Sequence, residues 1–162
     1  MLRKSKGKCP TVCTVSQERN MRAGTENLYG IVGFARALEI ATEHHETESI
    51  YIKDLKQYMM EILQKEISEV GFNGDPFGNS LYAVLSVSLP KTEMSEMLLF
   101  NLDINAICAS GGSACTSGAD QGSHVIRAIN NDPNRVTVRF SFSKHNTTSV
   151  IDTVVEQLKK MI

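Results

Sequence analysis

Val136-Thr137-Val138-Arg139-Phe140-Ser141-Phe142 alternates apolar and polar side chains without interruption. A period of two marks a strand with one buried and one open face. Val136, Val138, Phe140 and Phe142 are therefore predicted to face a core, with Thr137, Arg139 and Ser141 on the other side. Leu81 to Leu89 repeats the pattern, setting Leu81, Ala83, Leu85, Val87 and Leu89 against Tyr82, Val84, Ser86 and Ser88. Elsewhere the period is helical. Glu26 to about His44 carries Leu28, Ile31, Val32, Ala35 and Leu38, with Thr25 as the expected N-cap and Gly24 turning the chain into the helix. A second stripe uses Ile52, Leu55, Met59, Ile62, Leu63 and Ile67 and is expected to stop at Gly71. His44-His45 is expected in a polar loop between the two helices, facing water and holding no metal.

Further along, Thr92 is expected to open a short helix that buries Met94, Met97 and Leu98. Ile104 to Cys108 reads as a short strand, and Ser123 to Ile129 as a short helix. A last helix carries Val150, Ile151, Val154, Val155 and Leu158 behind a cap at Asn146 or Thr147. Strands interleaved with helices in so short a chain predict an α+β layer with helices mainly on one face.

The chain has 162 residues, 41% hydrophobic and 22% charged, with net charge −1, which suits one ordinary domain and leaves two cramped. The balance argues against disorder, a collagen-like repeat and a disulfide scaffold. No run reaches the roughly 18 apolar residues of a membrane-spanning helix, so no membrane partner is expected. The basic N-terminus lacks the apolar core of a secretory leader, and a cytoplasmic location is expected. Arg3, Lys4, Lys6, Lys8, Arg19 and Arg22 stand against Glu18 alone in the first 22 residues. Such an arm can contact nucleic acid, but no aromatic side chains interleave with the lysines to stack bases. A solvated terminus is the expectation, with no nucleic acid.

Cys9, Cys13, Cys108 and Cys115 are spaced C-x3-C and C-x6-C, a poor match to zinc knuckles, and no metal site is expected. Cys108 alternates with Ile104 and Ala106, so it is expected to be packed. Cys115 sits among Gly111, Gly112, Ser113, Ala114, Thr116, Ser117 and Gly118, a stretch that offers a thiol on a loop able to turn tightly. Arg139, on the open side of its strand, presents a planar guanidinium suited to a carboxylate or to a plain salt bridge. Thr25 at a helix start suits a phosphate or a simple cap.

These residues carry a resemblance. Gln17-Glu18-Arg19-Asn20-Met21-Arg22-Ala23-Gly24-Thr25-Glu26-Asn27 is similar to the Q-E-R-x-x-R-x-G-T-x-N segment of the cysteine desulfurases, class V aminotransferase-like enzymes. Ser110-Gly111-Gly112-Ser113-Ala114-Cys115-Thr116-Ser117, followed by Ser123-His124-Val125, resembles their S-S-G-S-A-C-T-S loop. Val138-Arg139-Phe140-Ser141-Phe142 resembles their I-R-F-S strand, and the motifs fall in order across residues 17–162. Residues 1–16 read as a basic N-terminal segment, in which Thr14-Val15-Ser16 replaces the family's glycines.

The resemblance implies the small C-terminal domain of a fold type I pyridoxal phosphate enzyme, a short mixed or antiparallel sheet with helices mainly on one face. It implies conversion of L-cysteine to L-alanine, with the sulfur kept as a persulfide on Cys115 for iron–sulfur cluster assembly or another sulfur-transfer pathway. Arg139 matches the residue that holds the substrate carboxylate. Thr25 matches the one that reaches the cofactor phosphate of the partner subunit, in a homodimer. A sulfur-acceptor or scaffold protein is the implied partner. The family's cofactor lysine follows a histidine, and this sequence has no His-Lys pair, so the chain is expected to be part of a longer enzyme and inactive alone. A selenocysteine lyase-like domain and a non-catalytic dimerisation or partner-binding module are the alternatives.

Overall fold

A computed structural model describes residues 16–17, 22–111, 123–129 and 132–162. The chain divides into two compact units, residues 1–44 and 45–162. In the first, β1 (Ser16–Gln17) pairs antiparallel with β2 (Arg22–Ala23). Gly24, at φ +114°, then turns the chain, a conformation open to glycine and strained for other residues. Helix α1 (Leu28–Glu66) follows. Its cap is Asn27, whose Oδ1 accepts the Gly30 N–H at 3.0 Å, so Thr25 is not the N-cap. Gly30 makes room for that cap, since a Cβ there would lie 2.5 Å from Asn27 Nδ2.

Helix α1 runs unbroken through His44-His45, where the sequence pattern had suggested a loop. The stretch from Thr42 to Ser49 has no glycine or proline. Its hydroxyls bond back into the helix, Thr42 to the Leu38 carbonyl and Ser49 to the Glu46 carbonyl, each at 2.8 Å. Loss of the apolar stripe there reflects a lack of anything to bury, and the backbone needs no break.

The second unit is built on a three-stranded antiparallel sheet in the order β3 (Gly71–Phe72), β4 (Val84–Pro90), β5 (Arg135–Ser141). Leu85, Val87 and Leu89 of β4 and Val138 and Phe140 of β5 are buried on one face. The later turns of α1 cover them with Leu55, Met59 and Leu63, helix α2 (Leu98–Ile104) with Leu98 and Leu102, and α4 (Thr148–Met161) with Ile151, Val155 and Leu158. The short helix α3 (His124–Ile129) buries no residue. The fold is therefore α+β, as the interleaved strands and helices predicted, and its sheet is antiparallel, one of the two arrangements that the resemblance implied. The strand expected from Leu81 is shorter than predicted: Leu81 is 63% exposed and β4 begins only at Val84.

Three local expectations fail. Met94 and Met97 are exposed, because a single 3-10 turn at Ser95–Met97 precedes α2 and shifts the helical phase. The buried residue of that turn is Ser95, whose Oγ accepts the Thr92 N–H at 2.7 Å. Helix α1 ends at Glu66, and the reversal comes at Glu69, with φ 59°, ahead of Gly71. Ile104 to Cys108 is no strand: α2 extends through Ile104, the chain reverses at Ala106 with φ 58°, and Ile107 and Ala109 pack on the core. Cys108 points the other way and is exposed. A one-residue difference in phase accounts for the exchange.

Leu63, Leu102 and Leu158 are fully buried at 0% exposure. Truncating any one to alanine is expected to cost about 2–5 kcal/mol in urea unfolding, while Val150→Ala, on the exposed side of α4, should cost under about 1 kcal/mol. A second test concerns the ends of α1 and α4, which Lys159 and Glu66 join. The hydrogen bond from Lys159 and its charge hold the Glu66 carboxyl below the usual carboxylate range. That contribution exists above the ordinary pKa and disappears as pH falls through the lowered one. Lys159→Met should therefore flatten the acid limb of stability against pH; parallel profiles for the two proteins would show that the pair contributes nothing.

Candidate functional site

The open face of the sheet gathers the polar halves of the two alternating strands. The β4–β5 register sets Ser86 opposite Arg139 and Ser88 opposite Thr137, and such cross-strand partners share a face. Past β3, the Asn73 N–H donates to the Ser86 carbonyl at 2.9 Å. Beyond β5, Ser110 pairs with Arg139 through N–H to carbonyl bonds of 2.7 and 3.1 Å in the two directions. Asn73, Ser86, Arg139 and Ser110 thus form one row across the sheet.

Two arginines on this face of β5 have different surroundings. Arg135 is half-buried and spent on the fold: its Nε donates to Ser88 Oγ, and Nη2 donates to the carbonyls of Ser88 and Glu69, each at 2.6 Å. Arg139 is exposed, and among the described residues its guanidinium holds no hydrogen-bond or ion-pair partner. It lines a cleft of about 300 Å³ with Asn73, Ser86 and Thr137, opposite Val125, Ile126 and Ile129 of α3. No carboxylate lines the cleft among the described residues, so the positive charge of Arg139 is unopposed there. An arginine on a rigid strand facing an apolar wall suits a small molecule with a carboxylate at one end and a short apolar body.

Gly111 and Ser123, the residues on either side of 112–122, both line this cleft. At Gly111 a Cβ would come 2.7 Å from Leu99 Cδ1, so a side chain there would push the end of Leu99 aside, while the Thr137 carbonyl oxygen would lie at ordinary contact distance. Cys115 lies outside the described residues, as do Cys9 and Cys13. Cys108 is neither packed nor in this cleft; it lines a separate groove of about 380 Å³ beside Phe140, Phe142 and Val150. Thr25 is exposed in the unit of residues 1–44. His45 is exposed and meets Tyr82 edge-on at 6.3 Å. No group of metal-binding side chains occurs among the described residues.

Sequence reasoning found Arg139 and placed Ser86 and Thr137 on the polar side without a role. It passed over Asn73, although Asn73-Gly74-Asp75-Pro76 is a strong turn signal at the end of a strand. Arg135 also went unread, since a charged residue at a strand entry carries no distinctive pattern.

Comparison with known proteins finds relatives over most of this chain. The chain is 34% identical over 155 residues to the cysteine desulfurase IscS of Dictyoglomus turgidum, a match covering 94% of this chain and 39% of that protein. It is 37% identical over 156 residues to the cysteine desulfurase of Bradyrhizobium diazoefficiens, covering 95% of this chain and 39% of that one. A solved NifS-like protein superposes with TM-score 0.72 at 27% identity, over 93% of this chain and 38% of its own. A NifS-like protein from Rickettsia africae, at TM-score 0.72 and 24% identity, shares the fold over 94% of this chain and 39% of its own. The chain thus spans about two fifths of the length of these relatives. The family model for aminotransferase class-V matches residues 6–154, which hold the sheet, the cleft and both flanks of the cysteine loop, and the chain belongs to that family.

Proposed function

We propose that this chain is the C-terminal part of a cysteine desulfurase, in which Arg139 holds the carboxylate of L-cysteine and Cys115 accepts its sulfur. The observation that carries the reading is the unopposed guanidinium of Arg139, in a cleft whose rim holds Gly111 and Ser123, the two ends of the cysteine loop. Overall, L-cysteine and the Cys115 thiol give L-alanine and a Cys115 persulfide: the substrate C–S bond breaks, an S–S bond forms, and the proton balance closes without an external oxidant. A loop suits this work, because the sulfur must be collected beside Arg139 and then presented to an acceptor or scaffold protein. A homodimer belongs to the same reading, with Thr25 serving the cofactor phosphate of the partner subunit.

Pyridoxal phosphate is the cofactor that the reading calls for, and it supplies an electron sink for breaking the C–S bond. The described residues do not fit its covalent attachment. Lys56 is the buried lysine among them, and its Nζ donates to Ser80 Oγ at 3.0 Å and to the Leu81 carbonyl at 3.1 Å. Burial pushes its pKa down, but the side chain straps the loop before β4 and does not line the Arg139 cleft. The other described lysines are exposed.

The purified chain, mixed with pyridoxal phosphate and L-cysteine, should release no L-alanine and retain no stoichiometric cofactor after desalting; alanine production would overturn the division of labour. Joined behind the portion of the Dictyoglomus turgidum enzyme that it does not match, the chain should support turnover. In that chimera, Arg139→Lys should lower kcat/KM about tenfold to hundredfold with cofactor absorbance unchanged, since lysine keeps the charge but loses the two-pronged geometry. Equal kcat/KM would make Arg139 a surface charge. Because Cys108 is exposed, simple accessibility to alkylating reagents does not separate the two thiols. Peptide mass mapping after a turnover does: the added sulfur should remain in Cys108→Ser and vanish in Cys115→Ser. The opposite pattern would transfer the role to Cys108.

A further inference from the structure

We propose that Asn73 turns the hydroxyls of Ser86 and Thr137 into a donor floor beside Arg139, which selects the carboxylate end of the ligand together with the arginine. The inference rests on the reading of Arg139 as carboxylate anchor and extends it to three residues that the reading leaves without a role.

The Asn73 side-chain amide donates to Ser86 Oγ at 3.1 Å and to Thr137 Oγ1 at 3.2 Å, so both protons of its Nδ2 are committed to the two hydroxyls. A hydroxyl has one proton and two lone pairs. Each of these oxygens has a lone pair engaged by Asn73, and among the described residues neither hydroxyl donates to a protein acceptor. Their protons are left for a ligand in the cleft that all three residues line with Arg139.

Asn73 is well placed to hold that polarity. Its backbone N–H is fixed to the Ser86 carbonyl at 2.9 Å, and Gly74, with φ +82°, takes the chain away from the sheet immediately afterwards. The neighbouring Ser88 shows the same pattern at a buried position, its Oγ accepting from Arg135 Nε. The open face of the sheet is thus wired with donors from Asn73 and Arg135 pointing into serine and threonine oxygens. A carboxylate meeting this floor accepts charge-assisted bonds from the hydroxyls in addition to those from Arg139. A ligand with a neutral amide at that end carries no charge to strengthen those bonds, so the floor and Arg139 together favour the carboxylate. Asn73 acts through the two hydroxyls and is a positioning residue.

The test uses the full 162-residue chain and two probes, L-alanine and L-alaninamide, with dissociation constants read from amide chemical shifts in an NMR titration. Wild type should prefer L-alanine. Thr137→Val keeps a β-branched strand residue and should weaken L-alanine about tenfold while leaving L-alaninamide unchanged, and Thr137→Ser should restore the preference. Ser86→Ala is the second variant, with the same direction expected, should Thr137→Val fail to fold. Asn73→Leu should lower the ratio of L-alanine to L-alaninamide affinity, a readout that a merely structural role would not move. L-alanine binding at wild-type strength in Thr137→Val and Ser86→Ala, but lost in Arg139→Gln, would overturn the donor floor and leave the arginine reading standing. Wild-type binding in Arg139→Gln as well, or no saturable L-alanine binding by the unaltered chain, would overturn both.

Discussion

The antiparallel register of Val84–Pro90 against Arg135–Ser141 is the constraint on which the rest of this unit depends. It sets Leu85 against Phe140 and Val87 against Val138 on the covered face, and in the same stroke Ser86 against Arg139 on the open one. A slip of one residue would drive the Arg139 guanidinium into the core and turn Val138 and Phe140 outward. Burial of those apolar side chains against α1, α2 and α4 therefore positions the arginine. The site has no separate scaffold: the energy that folds the sheet also orients the polar row Asn73, Ser86, Arg139 and Ser110.

This link explains which parts of the molecule were legible in the sequence. Period two over Val136 to Phe142 reports burial on one side directly, so the strand, its inward residues and the exposure of Arg139 could all be read. Helix periodicity worked for α4 and the later turns of α1 for the same reason. It misled at His44-His45, where the helix continues without a buried face, because periodicity detects a packing partner and not the backbone hydrogen bonds. At Cys108 the alternation of Ile104, Ala106 and Cys108 was coincidental. The left-handed turn at Ala106 resets the phase, and alanine carries no mark of such a conformation as glycine would. The N-cap slipped from Thr25 to Asn27 because both residue types cap well, and the choice falls to the side chain that reaches the Gly30 N–H.

Exposure of Cys108 alters the chemistry of the unit. Two thiols flanking a glycine-rich stretch, one packed and one free, would have made identification of the nucleophile a matter of access. With Cys108 at the surface, the distinction rests on what each flank adjoins. Cys108 belongs to the groove beside Phe142 and Val150, where none of the lining residues carries a formal charge. Gly111 and Ser123, the described residues on either side of 112–122, both line the cleft that contains Arg139. On the proposed reading the sulfur is accepted beside the held carboxylate, and Gly111 and Ser123 adjoin that cleft and not the groove of Cys108.

Arg135 and Arg139 make the general point within a single strand. They lie four residues apart on one face of β5, and residue type and periodicity alone treat them as equivalent. The acceptors around them separate their roles. Ser88 and Glu69 surround Arg135 with oxygens at hydrogen-bond distance, and its guanidinium is consumed in joining β5 to β4 and to the turn before β3. Near Arg139 the corresponding positions are hydroxyls that each accept one bond from Asn73, which leaves each of them a proton to offer the cleft. The donors of Arg135 are used by protein oxygens, which makes it a strut, whereas the proposed reading gives those of Arg139 to an anion. On the proposed reading, the polarity of Asn73, Ser86 and Thr137, more than the exposure of Arg139 itself, marks Arg139 for binding and leaves Arg135 to the fold.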